Sequence, residues 1–178
     1  TTSSAVNFLY TLPSRATTEY ENDDIWLAGV SRKYGDITYR RSRYDGIEVT
    51  DVTKTYKSGL LFDRLQDRTL VVPESITYGT RNYAVTSIAV SAFFNRTDLT
   101  EISLPDSLLR IREQAFSGCN GITKITLGKG LEKIGDYAFR GCTGIKTVNY
   151  GGSEADFAKV KIGGGNGYIT SATITYGE

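Results

Sequence analysis

The sequence has no histidine, no methionine, two cysteines, three prolines and one tryptophan in 178 residues. The missing histidine removes the commonest general base, the commonest metal ligand and the usual partner of a Ser or Cys nucleophile. Carboxylate-only or lysine-based chemistry remains open, and the enzyme reading that goes with it is one that uses carboxylates in the N-terminal third. The expectation is therefore a non-enzyme with no catalytic residue, no cofactor and no metal. Without a methionine, the chain is not expected to begin where translation begins. A removed export signal would account for that and so would simple trimming; the opening Thr1-Thr2-Ser3-Ser4 reads as linker and favours an exported protein. No stretch approaches the ~18 apolar residues of a membrane span, so a soluble chain without membrane insertion is expected. Charge of either sign is not in excess. With 21 basic and 20 acidic residues the formal charge is +1, and nothing electrostatic points to nucleic acid or an anionic membrane as partner.

What the sequence does have is a repeat. Ile88, Ile111 and Ile134 are 23 residues apart, and the same step links Ala92-Phe93, Ala115-Phe116 and Ala138-Phe139. It also links Leu99, Ile122 and Ile145, then Ile102, Ile125 and Val148, then Leu104, Leu127 and Tyr150, and Leu108 with Leu131. The residues between vary freely. A fixed step of this length marks a solenoid whose units stack on one another.

One unit can be read residue by residue. In Ile102-Ser103-Leu104 the apolar side chains alternate with a polar one, so both point to one face of a short strand. Pro105 ends that strand because it cannot donate to a ladder, and Gly128 and Gly151 take its place later. Leu108 and Ile111 turn the chain inward again, and Ala92-Phe93 with its equivalents suits a single helical turn behind the strands. Leu70-Val71-Val72-Pro73 matches the unit in type, but nine more residues separate Ile76 from Ile88 than Leu108 from Ile111. That excess, with aromatic residues flanking a Gly/Asn turn, predicts an inserted β-hairpin.

The fold class that follows is an α/β-type solenoid, mostly β, with a β-rich N-terminal cap and a helix-plus-strand C-terminal cap. Its divisions are a linker over 1–24, the cap with opening strand and hairpin over 25–82, repeats over 83–150 and a capping unit over 151–178. In the N-terminal cap, alternation at Ile37-Thr38-Tyr39 and Ile47-Glu48-Val49 predicts two strands joined through Asp45-Gly46; Leu60-Leu61-Phe62 with Leu65 fits a helical turn or a third strand. At the other end Ser153 caps a short helix through Ala158 with Asp156 completing a loose capping box. Gly163 to Gly167 then makes a turn and Ala172 to Tyr176 a closing strand.

The strings VTSIAVSAFF, LTEISLPDSLLRIREQAFSGCNGITKITLGKGLEKIGDYAFRGCTGIKTV and YGGSEADFAKVKIGGGNGYITSATITY resemble the BspA-like leucine-rich-repeat family. The segment LVVPESITYGTRNYAVTSI is similar to that family's usual start of the array. The resemblance implies bacterial cell-surface or secreted proteins with adhesion roles and no shared catalytic residues. This chain departs from the family pattern in having few repeats and in Asn95-Arg96, where later units have Gly-Cys.

Several groups have two readings. Cys119 and Cys142 occupy the same place in adjacent units, which fits a disulfide, a pair of buried thiols or, less simply, a metal site; buried thiols are expected. The cluster Arg32-Lys33-Tyr34 with Tyr39 to Tyr44 interleaves cations and aromatics as nucleic-acid platforms do, but charges also guard strand edges, and the edge reading is preferred. Trp26 and the tyrosines stack on sugars or pack the cap. Asn95-Arg96-Thr97 has the form of a glycosylation sequon, while Asn95 suits a turn of positive φ. The Gly163–Gly167 run lacks the Lys-Ser/Thr of a phosphate cradle. The outward strand positions Thr69, Val71, Glu101, Ser103, Lys124, Thr126, Thr147, Asn149, Thr173 and Thr175 line up as one stripe. Glu101, Ser103, Lys124, Thr126, Thr147 and Asn149 are its centre and the candidate ligand face, for a protein or glycan partner. The other readings of the stripe are that these are simply good exposed strand formers, and that the chain is a structural spacer in a larger surface assembly.

Overall fold

Period-two alternation predicts a strand at each Ile-x-Leu, and the computed structural model has one there in every unit. It describes residues 31–34, 37–41, 47–52, 69–78 and 81–177. Five short strands, β4 (Thr69–Val71), β7 (Glu101–Ser103), β9 (Lys124–Leu127), β11 (Thr147–Tyr150) and β13 (Thr173–Tyr176), form one all-parallel sheet in the order β13-β11-β9-β7-β4. Its register is unbroken: Ile102 stands beside Ile125, Ile125 beside Val148, and Val148 beside Ile174.

The second sheet forms on the opposite side of each unit, where Ile88, Ile111 and Ile134 turn inward. Its parallel part runs from β3 (Ile47–Val52) through β6 (Arg81–Ile88), β8 (Arg110–Ile111) and β10 (Lys133–Ile134) to β12 (Lys161–Ile162). β2 (Ile37–Arg41) pairs antiparallel with β3, and β1 (Ser31–Tyr34) antiparallel with β2, so the N-terminal strands extend this sheet beyond the first rung. The excess residues before Ile88 form a hairpin, β5 (Ser75–Tyr78) against β6. The expectations for Trp26 and for Leu60 to Leu65 lie outside the described residues.

Between the sheets the recurring apolar positions stack. Phe93, Phe116 and Phe139 are fully buried, with ring centroids 4.8 and 5.3 Å apart and interplanar angles of 3° and 8°. Ile88, Ile111, Ile134, Ile102 and Ile125 pack beside them with 1% exposure or less. Each such side chain contributes about 1.5–3 kcal/mol by leaving water. Units approach so closely that a Cβ on Gly121 or Gly144 would lie 2.5 Å from the carbonyl oxygen of Thr97 or Asn120.

Behind the Phe stack the chain departs from the expected helical turn. Ser91, Gln114 and Tyr137 have φ of 55–58°, and Asn95, Gly118 and Gly141, four residues on, have φ of 56–80°. Left-handed residues interrupt helical winding, so the segment is a run of tight turns, with Phe94 N–H donating to Ser91 O at 3.1 Å and Arg96 N–H to Phe93 O at 3.2 Å. The other backbone donors aim along the solenoid axis. Phe93 N–H donates to Ala115 O at 2.7 Å, and Phe116 N–H to Ala138 O at 2.8 Å. This row stitches the backs of the units together as the strands do at their fronts.

Acidic side chains secure the corners. The carboxylate of Glu74 accepts from Asp106 N–H and Ser107 N–H at 3.0 and 3.1 Å, and Asp106 Oδ1 accepts from Lys129 N–H at 2.9 Å. After the last unit, α1 (Glu154–Phe157) is capped by Ser153, whose Oγ accepts from Asp156 N–H at 3.2 Å. The glycine run is more than a turn, for it leads into a second short helix, α2 (Gly167–Thr170), before β13.

Candidate functional site

The outward residues of the parallel sheet form two straight rows. One row reads Thr69, Glu101, Lys124, Thr147 and Thr173; the other reads Val71, Ser103, Thr126, Asn149 and Thr175. All six central positions singled out from the sequence lie in these rows, with Glu101, Lys124 and Thr147 adjacent in one and Ser103, Thr126 and Asn149 adjacent in the other. Strand spacing of ~4.8 Å over four gaps makes the face roughly 19 Å tall.

The rows carry little net field. Lys124 Nζ lies 3.7 Å from Glu101 Oε2, with both side chains nearly half exposed, a geometry worth at most about 1 kcal/mol. Thr175 Oγ1 donates to Asn149 Oδ1 at 2.7 Å. The single large apolar residue in the rows is Val71, 62% exposed at the first rung. Hydroxyls, one amide and one ion pair therefore make up the chemistry of this face. It can offer hydrogen bonds to an extended polar ligand.

The remaining sequence candidates fall elsewhere. Cys119 and Cys142 are free and fully buried, and each Sγ–H donates to the carbonyl of the Phe one rung back, to Phe93 O at 3.0 Å and Phe116 O at 3.1 Å. Burial pushes the two thiols up from the ordinary 9.0 to about 11 and about 12, and for Cys142 the neighbouring Cys119 adds to the shift. Among the described residues no group of three or more His, Cys, Asp and Glu side chains is placed to hold a metal. Asn95 sits at positive φ, as its turn reading requires. The side chains of Trp26, Tyr34, Tyr39 and Tyr44 lie outside the described residues.

Sequence reasoning passed over a set of cations on the second sheet. Arg110 and Lys133 precede Ile111 and Ile134 at the repeat step, a signal visible in the sequence, and the register lines Lys161 up with them. They line a cleft at the C-terminal end of the array.

Two stacked parallel sheets, a 23-residue rung and a Phe spine are the geometry of a leucine-rich-repeat solenoid. A profile of BspA-type leucine-rich-repeat regions matches residues 72–159 with six copies. The array belongs to the BspA-type leucine-rich-repeat family. No curated protein matches the chain. Among solved structures, the BspA-type array is similar to a leucine-rich repeat protein from Bacteroides capillosus, at 24% identity and a TM-score of 0.56 over 67% of this chain and 80% of that one. It is also similar to a leucine rich cell surface protein from Faecalibacterium prausnitzii, at 22% identity and a TM-score of 0.54 over 71% of this chain. A leucine rich repeat protein from T. pallidum gives 23% identity and a TM-score of 0.52, again over 71% of this chain. The chain spans only 33% of the F. prausnitzii protein and 56% of the T. pallidum protein. At these identities the likenesses establish the fold.

Proposed function

We propose that this BspA-type array is a non-catalytic recognition or adhesion module of the bacterial cell surface or of a secreted protein, and that it binds a protein or glycan through the outward face of its parallel sheet. The observation that carries this reading is the face itself: two in-register rows, polar apart from Val71, held on paired strands and at least partly exposed along their length. Repeat proteins commonly bind across such a surface. The F. prausnitzii neighbour is described as a cell surface protein, which agrees with the surface reading. The face is smaller than a standard protein interface of about 800 Å² per partner, so a tight protein partner would also engage the N-terminal region, residues 25–68, while a short glycan would fit the rows alone.

A second reading has one observation of its own. The paired Lys124 and Glu101, and Thr175 and Asn149, satisfy one another along the rows, as they would in a structural spacer. A glycan array and a pull-down of surface proteins with the whole chain separate the two. Under the recognition reading a specific partner emerges and Lys124→Glu weakens its binding modestly. A chain that retains no partner on either screen would be a spacer.

A further inference from the structure

At the far end of the second sheet, a cleft of about 470 Å³ opens between β8, β10 and β12 and the C-terminal cap. That volume lies within the ~300–1,000 Å³ of small-ligand pockets. Its walls carry five cations, Arg110, Lys129, Lys133, Lys159 and Lys161, against the carboxylates of Glu132 and Asp156. The whole chain carries a formal charge of +1, so this cleft concentrates positive charge that the rest of the molecule balances out.

Three of the cations stand in one row, Arg110 beside Lys133 and Lys133 beside Lys161. Like charges directly opposite one another destabilise a sheet, and the strands that hold them are two residues long. Arg110 is relieved by Glu132 at 3.1 Å, Lys159 by Asp156 at 2.8 Å, and Lys129 more loosely by Asp106 at 3.9 Å. Lys133 and Lys161 are exposed, and among the described residues neither has a carboxylate within ion-pair distance. Two adjacent, unneutralised ammonium groups in the wall of a cleft are a docking point for anions.

We infer that this cleft binds an anionic polysaccharide, one whose sulfates or carboxylates recur along the chain. Strand spacing sets the three row cations over ~10 Å, a length that matches a series of anions better than a single one. Lysines act as flexible point charges and so tolerate the varied geometry of such a polymer. Two other polyanions fit less well. Tyr150 is 3% exposed and its hydroxyl is held by Lys129 O at 3.0 Å, so the cleft has no free aromatic face on which nucleic-acid bases could stack. Its one aliphatic wall residue, Leu131, is 5% exposed and offers nothing to insert into a membrane surface. The site is distinct from the outward face of the parallel sheet and does not depend on it.

The test is isothermal titration of the whole chain at low salt with four probes: a heparin-derived hexasaccharide, an oligogalacturonate of similar length, a neutral dextran oligomer and poly-glutamate. The sulfated probe, the carboxylated probe or both should bind, and the response identifies which anion the cleft prefers; dextran should not bind. Adding salt should weaken the interaction. Replacing both exposed lysines, Lys133→Gln with Lys161→Gln, should reduce affinity at least ~10-fold, the weight of one lost charged hydrogen bond, with an unchanged circular dichroism spectrum. Arg140→Gln, in the turns behind the Phe spine and outside both sites, should leave it unaltered. The inference is overturned if neither charged probe binds, if the double variant binds like the parent, or if poly-glutamate binds as tightly as the glycans. A probe that responds to Lys124→Glu but not to the lysine pair would overturn this site and leave the outward face standing.

Discussion

The side-chain oxygen of Asn166 accepts the backbone N–H of Phe139 at 2.9 Å, the bond that Ala138 O provides to Phe116 one unit earlier. A solenoid must end somewhere, and its last row of N–H donors has no next unit to meet. Here a buried side chain takes the place of that missing backbone. Its Nδ2 donates to Gly135 O at 2.9 Å and Gly163 O at 2.8 Å, so every polar atom of the amide is used. Asn166→Ala should therefore leave a buried N–H and a buried carbonyl unpartnered and cost on the order of 3 kcal/mol. Denaturant titration measures this directly; a loss below about 0.5 kcal/mol would mean that water substitutes freely.

The Phe spine makes a graded prediction. Phe116 is stacked on both faces and Phe93 and Phe139 each on one. Phe116→Ala should cost about 3–5 kcal/mol, and each end ring about 0.5–1.5 kcal/mol less, the worth of one aromatic pair. Equal losses below about 1 kcal/mol at all three would contradict a continuous stack.

How much of this was legible follows from how each feature is encoded. The outward-facing parallel sheet, its register and the spine are written as apolar residues at a constant step, because stacking demands the same side chain in the same place; the two-residue strands of the second sheet show no alternation and were not legible. The six central residues of the outward face were legible for the same reason, by alternation with the buried set. The left-handed turns at Ser91, Gln114 and Tyr137 were not, since Ser, Gln and Tyr carry no preference for positive φ and are held there by the bonds to the next unit. Asn166 was hidden inside a glycine run whose local chemistry reads as a turn. Lys161 lies 28 residues from Lys133, off the repeat step, because the capping unit reaches its strand by a longer path; only the register brings it into the cationic row.

The buried thiols give the fold a pH dependence. In the unfolded chain a thiol ionises near its ordinary 9.0, whereas burial holds Cys119 and Cys142 protonated to about 11 and about 12. An acid whose folded value is raised favours the folded state below the unfolded value, and that advantage is lost as pH climbs toward the folded one. Stability should therefore decline above about pH 9. The Cys119→Ala/Cys142→Ala variant, compared with the parent by urea titration between pH 7 and about 10.5, should show a shallower decline; identical slopes would contradict the thiol assignment.

The central claim is that the parallel sheet presents a recognition face, and chemical-shift mapping of the isotopically labelled chain with the partner selected on the glycan array or pull-down tests it most directly. The account predicts that the largest amide and side-chain shifts fall on Glu101, Ser103, Lys124, Thr126, Thr147 and Asn149, joined by residues 25–68 if the partner is a protein. Shifts confined to the turns behind the Phe spine, around Val90 to Asn95 and Glu113 to Gly118, with the two outward rows silent, would contradict it.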